Sequence, residues 1–119
     1  SRAFAEKGIH VDILHRETGE KTGIKIHVQG ADSMAYKNAM LESARKINKD
    51  GSAEDACMIG AEITAKITLG WSGLAVDGKE IEFSHDTAVD MYYRFEWVAN
   101  QVLAVVNDTK RFLVNASNS

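Results

Sequence analysis

At 119 residues, 45% hydrophobic and 26% charged, the chain has the size and composition of one ordinary globular domain, long enough to bury a core of its own. With that apolar content, a net charge of −3 argues against wholesale disorder, and it supplies no basic footprint for a nucleic-acid backbone. One cysteine, Cys57, excludes an internal disulfide and points to a reducing compartment, residues 1–7 carry no signal-peptide core, and no apolar stretch reaches the roughly 18 residues of a membrane span.

Ile9, Val11 and Ile13 alternate with polar residues, and so do Ile24, Ile26 and Val28, the period that puts side chains on one face of a strand. The segment between them contains Gly19 and Gly23, so residues 9–30 read as a β-hairpin. For both apolar faces to coincide, odd positions must lie opposite even ones, which demands a turn with an even residue count, two or four, around Thr18 to Lys21.

After Gly30 the period changes. Tyr36, Met40, Ala44 and Ile47 recur at helical spacing over 32–49, with Asp32 or Ser33 as the cap and Gly51 as the stop. A second helix over 52–69 opens on Ser52 and Asp55. Its Ala56, Ile59, Ile63 and Ile67 line a face that Met58, Ala61, Ala65 and Leu69 widen, as befits a central buried helix closed by Gly70. Asp77 and Gly78 then mark a short turn or small hairpin within 71–83.

Residues 85–113 are helical again. Ala88, Met91, Tyr92 and Phe95 set one stripe, and Val98, Val102, Val105, Thr109 and Phe112 another, in one helix or two depending on a kink near Arg94 to Trp97. The small polar tail 115–119 is expected to fray. The fold class is therefore α+β and mostly α-helical: an N-terminal β-hairpin followed by a three- or four-helix body, in one domain spanning 1–119.

The letters that resemble chemistry have plainer structural uses. Contiguous Ser84, His85 and Asp86 diverge in direction and suit a helix N-terminus better than a catalytic triad. His10, Asp12 and His27 share the polar face of the hairpin, but Lys25 shares it too and no fourth ligand is in sight, so no metal site is assigned. Gly70, Trp71, Ser72 and Gly73 match the GxxG of a KH loop without a basic residue between the glycines, and read instead as a helix cap and turn. Cys57, beside Ala56 and Met58, reads as a small core hydrophobe. No catalytic residue and no cofactor is implied.

What remains is an apolar surplus in the C-terminal half. Tyr92 and Tyr93 cannot face the same way, and Leu103 and Val106 widen the stripe beyond what one small core needs. Tyr93, Trp97, Leu103 and Val106 are the candidate protein-binding residues.

Ile67 to Leu74, Asp77 to Lys79, Phe83 and Ser84, and then Trp97, Val98, Gln101, Val102, Asp108 and Phe112 form a pattern that resembles the tail assembly chaperones of long-tailed phages of the HK97 type. The hairpin with its turn at Thr18 to Gly23, and Asp32, Ser33 and Tyr36 opening a helix, extend the resemblance over nearly the whole chain. It departs where Glu96 stands before Trp97, a place where relatives often carry proline. The resemblance implies a non-enzymatic protein of the infected host's cytoplasm that binds the tape measure protein, helps recruit tail tube subunits, mainly through a longer frameshifted product, and is absent from the finished virion. From the acidic balance and the lack of a span-length apolar run, no nucleic-acid or membrane partner is expected. Self-association is a further expectation, because weak sites repeated along a rod-like partner raise one another's effective concentration. The alternative is a virion structural adaptor such as a head-to-tail connector.

Overall fold

The computed structural model describes residues 2–47 and 53–108. In chain order it contains α1 (Arg2–Lys7), β1 (Ile9–Leu14), β2 (Lys21–Val28), α2 (Met34–Ile47), α3 (Ala53–Ile67), β3 (Thr68–Ser72), β4 (Ala75–Val76), β5 (Lys79–Glu80), α4 (His85–Arg94) and α5 (Glu96–Val106). An N-terminal hairpin leads into a predominantly helical body, the α+β class read from the sequence. The main sheet is antiparallel in the order β1-β2-β3, and β4 with β5 forms a separate small hairpin on the Asp77–Gly78 turn.

Parity in the first hairpin is as the alternation demands. Val11 lies opposite Ile26 and Ile9 opposite Val28, and all four side chains are buried against the helices. His15 N–H donates to Glu20 O at 2.7 Å and Gly19 N–H to His15 O at 2.9 Å, so the loop is the four residues Arg16 to Gly19, two positions earlier than expected. The displacement comes from a bulge. Asp12 pairs with Lys25 but Leu14 with Lys21, so β2 spends four steps where β1 spends two, and Gly23 takes up the distortion at φ 90°.

Several elements differ from the sequence reading. α1 was not anticipated: Ala5 is buried, its carbonyl accepts from Gly30 N–H at 2.9 Å, and the Glu6 carboxylate accepts from Met34 N–H at 2.6 Å, so this short helix ties the hairpin to the start of α2. Ser33 is the cap of α2, its Oγ accepting from Tyr36 N–H at 3.1 Å. The buried face of α2 is set by Ala39 and Ser43, while Met40, Ala44 and Ile47 of the expected stripe face outward. Small side chains let α3 come close, and the larger ones then have no room beneath the helix.

α3 does not run to Gly70. It ends at Ile67 and passes directly into β3, an edge strand that the sequence reading missed, which places Gly70 opposite His27 in the sheet and not at a helix cap. Thr68 at the junction donates to Thr64 O at 2.7 Å and shares a 2.8 Å hydrogen bond with the buried Tyr92 hydroxyl, so the helix end is satisfied by side chains.

The 85–113 segment is two helices. Phe95 at φ −119°, ψ 70° interrupts them without proline or glycine: its N–H closes α4 on Met91 O at 2.8 Å, and its carbonyl accepts from Val98 N–H at 2.9 Å to open α5. The break turns Met91 and Tyr92 of α4 and Val98, Val102 and Val106 of α5 onto one core beneath the sheet. α5 ends at Val106 with Asn107 as its cap, so Asn107 and Asp108 of the expected 85–113 span are not helical. Residues 48–49 of the expected α2 helix, the Gly51 stop, the Ser52 cap, helix beyond Asp108 and the tail 115–119 lie outside the described residues.

Candidate protein-binding surface

The residues that resembled chemistry are engaged locally. Ser84 Oγ accepts from Thr87 N–H at 3.0 Å while Thr87 Oγ1 accepts from Ser84 N–H at 2.8 Å, a reciprocal cap that opens α4 and occupies the hydroxyl a nucleophile would need. His10 and His27 face each other across the hairpin with rings stacked at 4.3 Å, His27 Nε2 lies 3.0 Å from Lys7 O, and Asp12 pairs with Lys21 at 3.4 Å. Among the described residues, no three His, Cys, Asp or Glu side chains gather in a metal-binding group. Trp71 packs edge-on against Phe83 and donates to Ile81 O at 2.8 Å, which fastens β3 to the segment after the small hairpin.

Of the four candidate docking residues, Val106 is core. It is wholly buried, because Val98, Val102 and Val106 follow one another at four-residue spacing along the inner row of α5. Trp97 is half-buried, with the Arg16 guanidinium of the hairpin loop 5.6 Å from its ring centroid. Tyr93 is exposed at the end of α4, and Leu103 is half-buried toward α3. The structure does not bring the four together: Trp97 looks to the hairpin, while Tyr93 and Leu103 border different grooves.

Those grooves flank α3. Between α3 and α5 a depression is floored by Ala56, Gly60, Ala61 and Ala99 and walled by Cys57, Glu96, Asn100 and Leu103. Cys57 is exposed here, against the expectation of a buried thiol, because it sits on the rim that α5 leaves open. Between α3 and α4 a second depression brings apolar Met58, Val89 and Tyr93 together with Glu62, His85, Asp86 and Asp90. α2 is fastened to α3 by Lys46–Glu62 at 2.6 Å and by Lys66–Glu42. The hydrogen bond from Lys66 holds the Glu42 carboxyl below its ordinary range, and the one to Glu62 raises the Lys46 amine.

The sequence signalled these surfaces only in part. Tyr93 and Leu103 stand out as apolar surplus, but the α3–α5 groove is lined largely by alanines and a glycine, and only the placement of α5 beside α3 makes such residues a depression. Compared with protein-family models, curated proteins and solved structures, the chain has no match.

Proposed function

We propose that the chain is a non-enzymatic tail assembly chaperone that binds helical segments of a phage tape measure protein and helps bring tail tube subunits to them, acting in the host cytoplasm and leaving before the virion is complete. The observation that carries the reading is the α3–α5 groove. Its floor of Ala56, Gly60 and Ala99 allows the backbone of an incoming helix to approach closely, and Leu103 offers an apolar wall at its side. A partner helix that would aggregate alone through its apolar stripe is covered by such a groove without any cofactor. The order of hairpin, helices and small Asp77–Gly78 hairpin also accommodates the motifs on which the family resemblance rests.

Co-expression tests the reading. The chain should co-purify with the tape measure protein, and Leu103→Asp should abolish co-purification while the domain stays folded. Mass spectrometry of finished virions separates the chaperone from a structural adaptor, because only the adaptor remains in the particle.

A further inference from the structure

We infer that β3, with the outer face of the sheet beside it, is a docking site for an extended acidic segment of another protein, which adds to the sheet as a fourth strand. This goes beyond the tail-assembly reading and stands without it, because it uses neither α5 nor the grooves along α3.

The strand order β1-β2-β3 leaves two edges. The β1 edge is held at Leu14 by the Gln101 amide. On β3, apart from its ladder with β2, no backbone N–H or carbonyl from Leu69 to Ser72 hydrogen-bonds the backbone of another described residue. The run Thr68, Leu69, Gly70, Trp71, Ser72 also contains neither charge nor proline, the usual guards against strand addition. Leu69, the bulged residue with no partner in β2, is 44% exposed and offers an incoming strand an apolar contact.

The face beside this edge selects the chemistry of the strand. A shallow depression there is lined by His10, Lys25, His27, Gly70, Trp71 and Ser72, with no carboxylate among them. Lys25 is exposed and forms no salt bridge to another described residue; Asp12, its cross-strand neighbour, is paired with Lys21. Ser72 lies opposite Lys25 and Gly70 opposite His27, so only a short hydroxyl side chain and a hydrogen stand between an added strand and these groups. A Cβ built on Gly70 meets nothing within 4 Å.

An added strand lies about 10 Å from β2, two strand spacings away. A glutamate on it extends over Ser72 and meets the Lys25 amine partway, whereas aspartate, one methylene shorter, reaches less far. A second copy pairing through its own β3 would set one Lys25 beside another on the same face, so the charge favours an acidic partner over self-pairing. Backbone hydrogen bonds supply the affinity of such an addition and alternate side chains the choice of partner. The regular part of β3 is short, and the association is correspondingly weak.

Two synthetic peptides test this on the full isotope-labelled chain, one alternating valine with glutamate and one alternating valine with lysine. In an NMR titration the glutamate peptide should shift the amides of β3 and Lys25 and bind at least about tenfold more tightly than the lysine peptide. Lys25→Glu should reverse that preference, a swap that a misfolded chain does not give. N-methylation of the glutamate peptide at its valines, or separately at its glutamates, should abolish binding in one case and spare it in the other, because only alternate N–H groups of an added strand face β3. Equal binding of the two charge types, or of the two methylated forms, overturns the inference. So does a glutamate peptide that shifts no β3 amide at millimolar concentration. Concentration-dependent shifts of the β3 amides without peptide overturn it as well, because the edge then belongs to a second copy of the chain.

Discussion

The side-chain amide of Gln101 clasps the backbone of Leu14: Leu14 N–H donates to Oε1 and Nε2 donates to Leu14 O, both at 2.8 Å. An α5 side chain thus takes the place of one residue of a neighbouring strand on the open edge of β1. Unpaired strand edges are where other chains add. Gln101→Ala should cost about 1 to 2 kcal/mol in urea unfolding, the worth of two partly solvated hydrogen bonds. Gln101→Glu keeps an acceptor for the Leu14 N–H and loses the donor, so a stability midway between wild type and alanine is expected. If alanine costs nothing, the clasp does not hold the edge.

Tyr92 gives the protein a defined alkaline weakness. Burial pushes its phenol well above the ordinary tyrosine value, only partly offset by the hydrogen bond with Thr68. The folded chain therefore keeps its proton over a range where the unfolded chain has lost it. Since the unfolded state then binds fewer protons, the stability of the fold falls as pH rises beyond about 10. Tyr92→Phe removes that slope, at a cost of about 1 kcal/mol near neutrality for the lost hydrogen bond. Urea unfolding at pH 8 and pH 11 checks both: the gap between the two proteins should narrow at the higher pH, and a gap that stays constant would show that the phenol ionises freely.

How far the fold could be read depended on what lay next to each segment. Ile9 to Ile13 and Ile24 to Val28 were legible because a two-residue period against one core needs no knowledge of neighbours. The bulge that moved the loop to Arg16–Gly19 depends on how β2 meets Leu14, and local alternation does not encode it. On α2 the size of the side chains misled: Met40 and Ile47 carry the hydrophobicity, but the close approach of α3 admits only Ala39 and Ser43. β3 escaped because Thr68 to Ser72 has no alternation of its own and follows α3 without a turn residue. At the binding surface Val106 looks like surplus in the sequence because α5 alone does not reveal the sheet it packs under.

Val106 and Leu103 should therefore part company under substitution. Val106→Ala empties part of a fully buried site, and a loss of about 2 kcal/mol is expected from the missing methyl groups and the cavity they leave. Leu103→Ala trims the wall of an open groove, where stability should change by about 0.5 kcal/mol or less. Thermal melts of the two variants decide it. Equal losses would mean that the groove closes in solution and that Leu103 belongs to the core.

Gly60 separates stability from binding most sharply. It lies inside α3, where glycine is less favourable than alanine by about 1 kcal/mol, and a Cβ built on it meets nothing within 4 Å because it points into the α3–α5 groove. Gly60→Ala should therefore raise the stability of the chain by about 0.5 to 1 kcal/mol. The same methyl group stands on the floor across which a partner helix is proposed to lie, and Gly60→Leu would fill that floor outright. Two measurements on each variant settle the role of the residue. Thermal unfolding should show a gain for alanine, and co-purification with the tape measure protein should fall from wild type to alanine to leucine. A leucine variant that is folded and still captures the partner as wild type does would place the docking surface away from this groove.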